Sequence, residues 1–383
     1  MDALMNRSRV FAEAVVIMVC PVLLAVALHK VDLKSKEHGQ LAVPILMLAV
    51  AAVTLASGVV PFLALAFSKS FSNHAWRLPA KAASCLAPFS CMCLVGLACW
   101  IMHLIVSQSW GYAFPATGGV FLLCIVVRSV RYCRARGDAL PVAVGARDAL
   151  WKAMEGKLDD SLEFLAGVTA LLFLGLEALA LEGQTNGGQS GRLAGSMGVC
   201  FFACVVGVCF MLVETIPPPP PGSEDTGCRA SVVRNLTAIC DIFMASAITA
   251  VMMTIMIMLV NFRALLLLSP LFLMLLVHAF GVRRGGDDGD GDDAAKPASL
   301  ELSKVTFTGF LAVSIPAIKK PHSIDISTEL FLMCAASGIV SGLAWRLLTH
   351  ARMGRNANVA SFCTHFCIAI ATVPFTVMAG NAL

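Results

Sequence analysis

Residues 235–260 read NLTAICDIFMASAITAVMMTIMIMLV, and this stretch decides the fold class. A helix needs about 20 apolar residues to cross the hydrocarbon core of a bilayer, and this stretch exceeds that length. Its apolar side chains occupy every face of a helix, whereas a helix on the surface of a soluble protein has one apolar stripe. The stretch is therefore predicted to span a membrane.

Ten further stretches have the same character, which predicts an all-α fold: a polytopic membrane helix bundle of about eleven transmembrane helices. They lack the alternation over about ten residues that strands of a membrane barrel show. The predicted spans are residues 9–29, 41–67, 83–106, 111–128, 162–182, 193–213, 235–260, 262–282, 304–319, 329–349 and 358–380.

The overall composition agrees with a membrane protein. Hydrophobic residues make up 58% of the 383 residues, and charged residues make up 14%. Soluble proteins carry about 25% charged residues, so this chain has too few to cover a water-exposed surface. The composition excludes a soluble enzyme or a nucleic-acid-binding domain as the main body of the protein.

Basic residues set the predicted orientation, because cytoplasmic loops are enriched in Lys and Arg. With eleven spans and a cytoplasmic N-terminus, 21 of the 28 basic residues fall on the cytoplasmic side. The weakest span is 304–319, which is short and contains Pro316. Without it the chain would have ten spans, and Arg346, Arg352 and Arg355 would lie outside, so eleven spans are preferred.

The first predicted span has a second interpretation as a cleaved signal peptide. Ala25-Val26-Ala27 resembles a cleavage site that follows an apolar stretch and the basic residues Arg7 and Arg9. Glu13 and Pro21 lie inside the apolar stretch and argue for an uncleaved span.

The chain divides at its most polar interruption. Residues 214–231 contain five consecutive prolines and are predicted to form an extended cytoplasmic linker. The linker separates a six-span N-terminal bundle, residues 1–213, from a five-span C-terminal bundle, residues 232–383. The C-terminal bundle includes an acidic loop at 283–303 with the sequence GGDDGDGDDAA, whose composition is typical of disorder.

Ionisable residues inside a membrane are candidates for a functional site, because each is costly to insert. Asp241 has the most informative surroundings. Helical periodicity places it on one small and polar face with Arg234 and Thr249. This face predicts either a cavity-lining acid or an acid paired within the bundle, with Arg234 as its local partner. Further candidates for lining a cavity are Glu177, His103 and His278.

Three other patterns carry predictions. Cys133 lies among arginines next to the fourth span, a setting that favours palmitoylation. Gly338 and Gly342 have the four-residue spacing that lets helices pack closely. Cys363 and Cys367 flank His365, but the sequence shows no fourth ligand for a metal. We expect no metal, no cofactor and no catalytic residues.

The layout resembles that of equilibrative nucleoside transporters, which also have six plus five spans and a hydrophilic break after the sixth. The resemblance implies facilitative transport of a small, nucleoside-like solute. Two motifs of that family are absent here. The first span has Val19-Cys20-Pro21-Val22 in place of a Pro-Trp-Asn triplet, and the eighth has no charge from Ala264 to Val277.

A second resemblance is to the alphaherpesvirus unique-long forty-three membrane proteins. It rests on the spans rich in Ala, Val, Cys and Met, the basic run Arg128–Arg136, the polyproline stretch and the GGDDGDGDDAA tract. The resemblance implies a protein of the virion envelope or tegument and of host cell membranes. Such a protein would modulate membrane events such as glycoprotein-driven fusion or virion assembly.

These observations lead to two hypotheses. The first is a non-enzymatic viral multi-pass membrane protein, with the lipid bilayer and other viral envelope glycoproteins as partners and no nucleic acid. The second is a facilitative small-solute transporter. The absent transporter motifs favour the first hypothesis. The acids inside the membrane and the prolines that interrupt many spans favour the second.

Overall fold

The structure is a computed structural model of the chain. It describes residues 2–27, 42–71, 77–105, 118–119, 121–123, 125–126, 149–183, 190–215, 226–283, 299–319, 324–350 and 354–382. Nearly all of these residues are helical, and no strand occurs among them. The prediction of an all-α fold is confirmed for this part of the chain.

Ten α-helices have defined bounds. They are α1 (Asp2–Ala27), α2 (Ala42–Phe71), α3 (Arg77–Ile105), α4 (Ala149–Gly183), α5 (Ser190–Thr215), α6 (Thr226–Val260), α7 (Ser269–Arg283), α8 (Ser299–Lys319), α9 (Ile326–His350) and α10 (Gly354–Ala382). Each overlaps one predicted span, because a long apolar segment can satisfy its backbone hydrogen bonds in a membrane only as a helix or a closed barrel. In the remaining predicted span, 111–128, the described residues between 118 and 126 are also helical.

Seven segments are long and apolar enough to cross a membrane, as judged by length and composition. This number refers to the described residues and is smaller than the predicted eleven. The segments are Leu46–Phe67, Cys85–Met102, Leu158–Ala178, Thr237–Val277, Glu301–Ile318, Ile326–Thr349 and Asn356–Met378. A shorter apolar helix covers Met197–Val213. The protein thus has the helices of a multi-pass membrane protein.

Two of the predicted spans are continuous in this set, because Thr237–Val277 is an apolar stretch of 41 residues. The stretch is interrupted at Asn261, whose φ of 55° lies in the left-handed region. Asparagine tolerates this conformation better than most residues and commonly ends a helix there. A 3₁₀-helix over Asn261–Leu268 follows before α7 begins. The predicted span 262–282 is therefore α-helical only in its second part.

The described chain forms two compact units, Met1–Met244 and Ala245–Leu383. Their boundary falls inside α6, later in the chain than the predicted linker at 214–231. The first part of α6 packs within the N-terminal unit, since a Cβ atom built at Gly207 of α5 would lie only 2.6 Å from Met244 Cε.

Each unit has its own apolar core. In the N-terminal unit, Phe164 and Phe173 of α4 and Phe201 of α5 are almost fully buried. In the C-terminal unit, Phe307 and Phe310 of α8 are fully buried and their rings stack 6.4 Å apart. Many large apolar side chains remain exposed on outer faces, such as Phe362 and Phe366 of α10. Such faces suit contact with lipid chains or with the helices of other proteins.

Candidate functional site: polar groups buried between helices

Two polar contacts link α4 to two other helices of the N-terminal unit. Arg7 of α1 forms an ion pair with Asp159 of α4 through its Nε atom. Two residues further along α4, Ser161 donates a hydrogen bond of 2.9 Å to Asp241 Oδ1 of α6. Arg7, Ser161 and Asp241 are all buried.

Asp241 is thus held by a residue from another helix. The arrangement satisfies one carboxylate oxygen with a hydroxyl group, as expected for a buried polar group. Arg234, its predicted partner, lies on the helical backbone of α6, but its side chain lies outside the described residues. Thr249 donates a hydrogen bond of 2.9 Å to the carbonyl oxygen of Ala245 in its own helix. Thr249 belongs to the C-terminal unit and Asp241 to the N-terminal unit.

Glu177 is the second buried acid of the N-terminal unit. It lies on α4 inside the segment Leu158–Ala178 and is only 7% exposed. Among the residues that the structure describes, neither carboxylate oxygen has a hydrogen-bond partner. Glu177 and Cys204 of α5 are close enough to interact electrostatically. This carboxyl group therefore differs from that of Asp241, which accepts a hydrogen bond from Ser161.

Several predicted candidates cannot be placed in a site. His103 lies on the helical backbone of α3 and His278 on that of α7, but their side chains lie outside the described residues. Cys133, the predicted palmitoylation site, also lies outside the described residues. Whether these residues line a cavity or carry a lipid stays a prediction.

Gly338 and Gly342 of α9 lie in contacts between helices of the C-terminal unit. A Cβ atom built at Gly338 would lie 2.9 Å from Ile368 Cγ1 of α10. At Gly342 it would overlap Ser303 Oγ of α8 and lie 3.5 Å from Thr364 Cγ2 of α10. The two glycines thus let α9 approach two neighbouring helices closely.

The Cys363-His365-Cys367 group is divided by helix geometry. His365 is exposed, and its Nδ1 atom lies 2.8 Å from the carbonyl oxygen of Ser361. Its ring lies 5.7 Å from that of Trp345. The described part of the chain contains no group of three or more His, Cys, Asp or Glu side chains arranged to hold a metal ion.

Sequence reasoning did not single out Asp159 or Ser161, and it treated Arg7 only as a marker of orientation. A usable signal was present, because Arg7, Asp159 and Asp241 all lie near the start of spans predicted to enter from the same side. Charges at equal depth in one bundle are natural partners for each other.

Comparisons with models of known protein families, with curated proteins and with solved structures found no match.

Proposed function

We propose that the protein is a non-enzymatic multi-pass membrane protein of a virus, similar to the alphaherpesvirus unique-long forty-three proteins. It crosses the membrane eleven times from a cytoplasmic N-terminus and acts through contacts with partners in the envelope and in host membranes. The observation that carries the membrane assignment is the set of seven long apolar helices. The viral assignment rests on the resemblance of spans, basic run, polyproline stretch and acidic tract.

The Arg7–Asp159 ion pair supports a crossing in the region of residues 111–128. Arg7 precedes the first predicted span and Asp159 precedes the fifth, and their contact puts both positions at one face of the membrane. The chain must then cross an even number of times between them. With the predicted spans 9–29, 41–67 and 83–106 taken as three crossings, a fourth is needed, and the apolar stretch 111–128 is the one that would supply it.

In the C-terminal unit, the ion pair between Arg263 and Glu329 likewise bears on the number of membrane crossings. Arg263 Nη1 lies 3.0 Å from Glu329 Oε1, so the chain before α7 and the start of α9 lie at one face. Between them are the 262–282 stretch and α8, which must both cross or both fail to cross. Since 262–282 is strongly apolar, the pair supports a crossing by the weak span 304–319.

Reporter fusions test the topology. A fluorescent reporter inserted at Gly289 should face the cytosol, and one fused after Leu383 should face the lumen or exterior. A cytosolic reporter after Leu383 would mean that 304–319 does not span. Extraction with alkaline carbonate tests membrane integration separately, because an integral protein stays with the membrane pellet.

A cell–cell fusion assay tests the proposed activity. Cells that display viral fusion glycoproteins are compared with and without this protein, at equal glycoprotein levels on the cell surface. An unrelated multi-span protein, expressed to the same level, controls for crowding of the membrane. We expect fusion to change with this protein and not with the control. Equal fusion in both cases contradicts the proposal.

The second candidate function is facilitative transport of a small solute, and Glu177 is the observation that favours it. A buried acid without a partner among the described residues is costly in a membrane and commonly marks a substrate or ion path. Uptake of radiolabelled nucleosides into proteoliposomes tests this function. If the wild type shows saturable uptake and a folded Glu177→Gln variant does not, transport becomes the preferred function.

A further inference from the structure

Glu177 lies in the packed interior of the N-terminal unit. Its helix, α4, packs against α1, α3 and α5, and through Ser161 it also contacts α6. On α4 itself, the adjacent Leu176 and, one turn earlier, Phe173 are fully buried. On α5, the buried thiol of Cys200 donates a hydrogen bond of 2.9 Å to the carbonyl oxygen of Leu172 of α4. The carboxyl group therefore lies among packed helices and away from the lipid-facing side of the unit.

The charged form of this carboxyl group has little to stabilise it. Both oxygens lack a hydrogen-bond partner among the described residues. The guanidinium of Arg7 contacts α4 at Asp159, 18 residues earlier in the helix, which is about 27 Å away at 1.5 Å per residue. Taking a charged carboxyl group out of water without a partner is costly, and buried acids avoid this cost by becoming neutral.

Most of the titratable side chains described on the neighbouring helices are thiols. They are Cys20 of α1, Cys85, Cys91, Cys93 and Cys99 of α3, Cys200, Cys204 and Cys209 of α5, and Cys240 of α6. The charged side chains that the structure describes on these helices are Arg7, Arg9 and Glu13, near the start of α1, and Asp241 of α6, which contacts α4 at Ser161, 16 residues before Glu177. Hard cations such as Mg²⁺ and Ca²⁺ require several oxygen ligands, which thiols do not supply. A proton needs only one carboxylate oxygen.

We propose that Glu177 is a proton-binding site inside the N-terminal unit, and that its carboxyl group is neutral in the packed structure. This proposal rests on the proposed function, because it requires α4 to be embedded in a membrane. Carbonate extraction tests that embedding independently of Glu177.

Infrared spectroscopy of the purified full chain in liposomes tests the proposal. The difference spectrum between the wild type and Glu177→Gln at pH 7 should contain the carbonyl stretch of a protonated carboxylic acid. An exposed glutamic acid is ionised at this pH, so it would give carboxylate bands instead. Asp241→Asn serves as the matched control and should leave the Glu177 band unchanged.

Each outcome of this experiment decides the question. Carboxylate bands in place of the carbonyl band at pH 7 overturn the proposal. The spectra are recorded with choline as the buffer cation and again with sodium or potassium. If the carbonyl band disappears in sodium or potassium, an alkali cation displaces the proton from Glu177. That result would overturn the proposal that the site holds a proton. Equal thermal denaturation of the wild type and Glu177→Gln verifies that the spectra compare folded proteins.

Discussion

Ser161 and Asp241 lie 80 residues apart in the chain and are joined by a hydrogen bond of 2.9 Å between α4 and α6. Both side chains are buried, so this bond links the fifth and seventh predicted spans inside the N-terminal unit. It also explains why the first part of α6 belongs to that unit, beyond the predicted linker at 214–231.

We expect Asp241→Asn to lower the free energy of unfolding by only about 0.6 kcal/mol, because the amide oxygen still accepts the hydrogen bond from Ser161. Ser161→Ala should have an effect of similar size, and the double variant should show that the two effects are coupled. Unfolding in mixed detergent micelles measures these changes. If Asp241→Asn and Asp241→Leu both fold normally and lose one defined activity, Asp241 has a functional role.

The Arg7–Asp159 ion pair should contribute much more to stability. Arg7→Gln leaves the Asp159 carboxylate without its cation, and breaking a buried pair costs about 3–5 kcal/mol. Since the side chain of Asp159 is 23% exposed, we expect the lower end of this range. The exchange variant Arg7→Asp with Asp159→Arg should recover part of the loss. Thermal denaturation of the detergent-solubilised protein measures both.

Arg9 provides a matched control for Arg7. It pairs with Glu13 at 3.4 Å, but these side chains are 57% and 62% exposed. Exposed pairs contribute at most about 1 kcal/mol, so Arg9→Gln should change the melting temperature little. An equal loss of stability for Arg7→Gln and Arg9→Gln would show that burial of the Arg7 pair has no energetic importance.

Gly338→Ala should destabilise the C-terminal unit, because the new Cβ atom would lie 2.9 Å from Ile368 Cγ1. Overpacking of this kind typically costs about 1–3 kcal/mol. Gly309→Ala is the control, since the nearest atom to its Cβ, in Phe331, lies 3.8 Å away. There the greater helix propensity of alanine should leave stability unchanged or raise it by up to about 1 kcal/mol. Thermal denaturation of the two variants should rank them in this order.

Asn261 should tolerate glycine and reject valine. Its φ of 55° costs most residues about 1–2 kcal/mol, and a β-branched residue is the least suited to it. Glycine adopts this conformation freely. We therefore expect Asn261→Val to lower the free energy of unfolding and Asn261→Gly to leave it nearly unchanged. A Val variant as stable as the wild type would indicate that the turn is not constrained by the fold.

The helices could be predicted from sequence because a membrane span is a local property. An apolar segment such as Leu46–Phe67 forms its hydrogen bonds within itself, and its length and composition are enough to identify it. The 3₁₀-helix over Asn261–Leu268 was not predicted, because residues 262–282 look uniformly apolar. Its geometry follows from the turn that precedes it, and hydropathy carries no information about that turn.

The partners of the buried polar groups were harder to predict. Helical periodicity relates Asp241 to Arg234 and Thr249, which are residues of the same helix. The hydrogen bond to Ser161 depends on which helices are neighbours and on their relative depth, and neither is visible in one helix alone. Glu177 was recognised as a candidate because an acid in an apolar stretch is conspicuous, but its lack of a described partner required the structure.

The left-handed turn at Asn261 also bears on how the chain is made. The apolar stretch Thr237–Val277 is 41 residues long, twice the length that the insertion machinery of the cell needs for one helix. If the turn forms as the stretch leaves the ribosome, the two parts can enter the lipid together as a hairpin. With the two crossings proposed here, each part then fixes the direction of the other, and Asn261 lies at the turn between them.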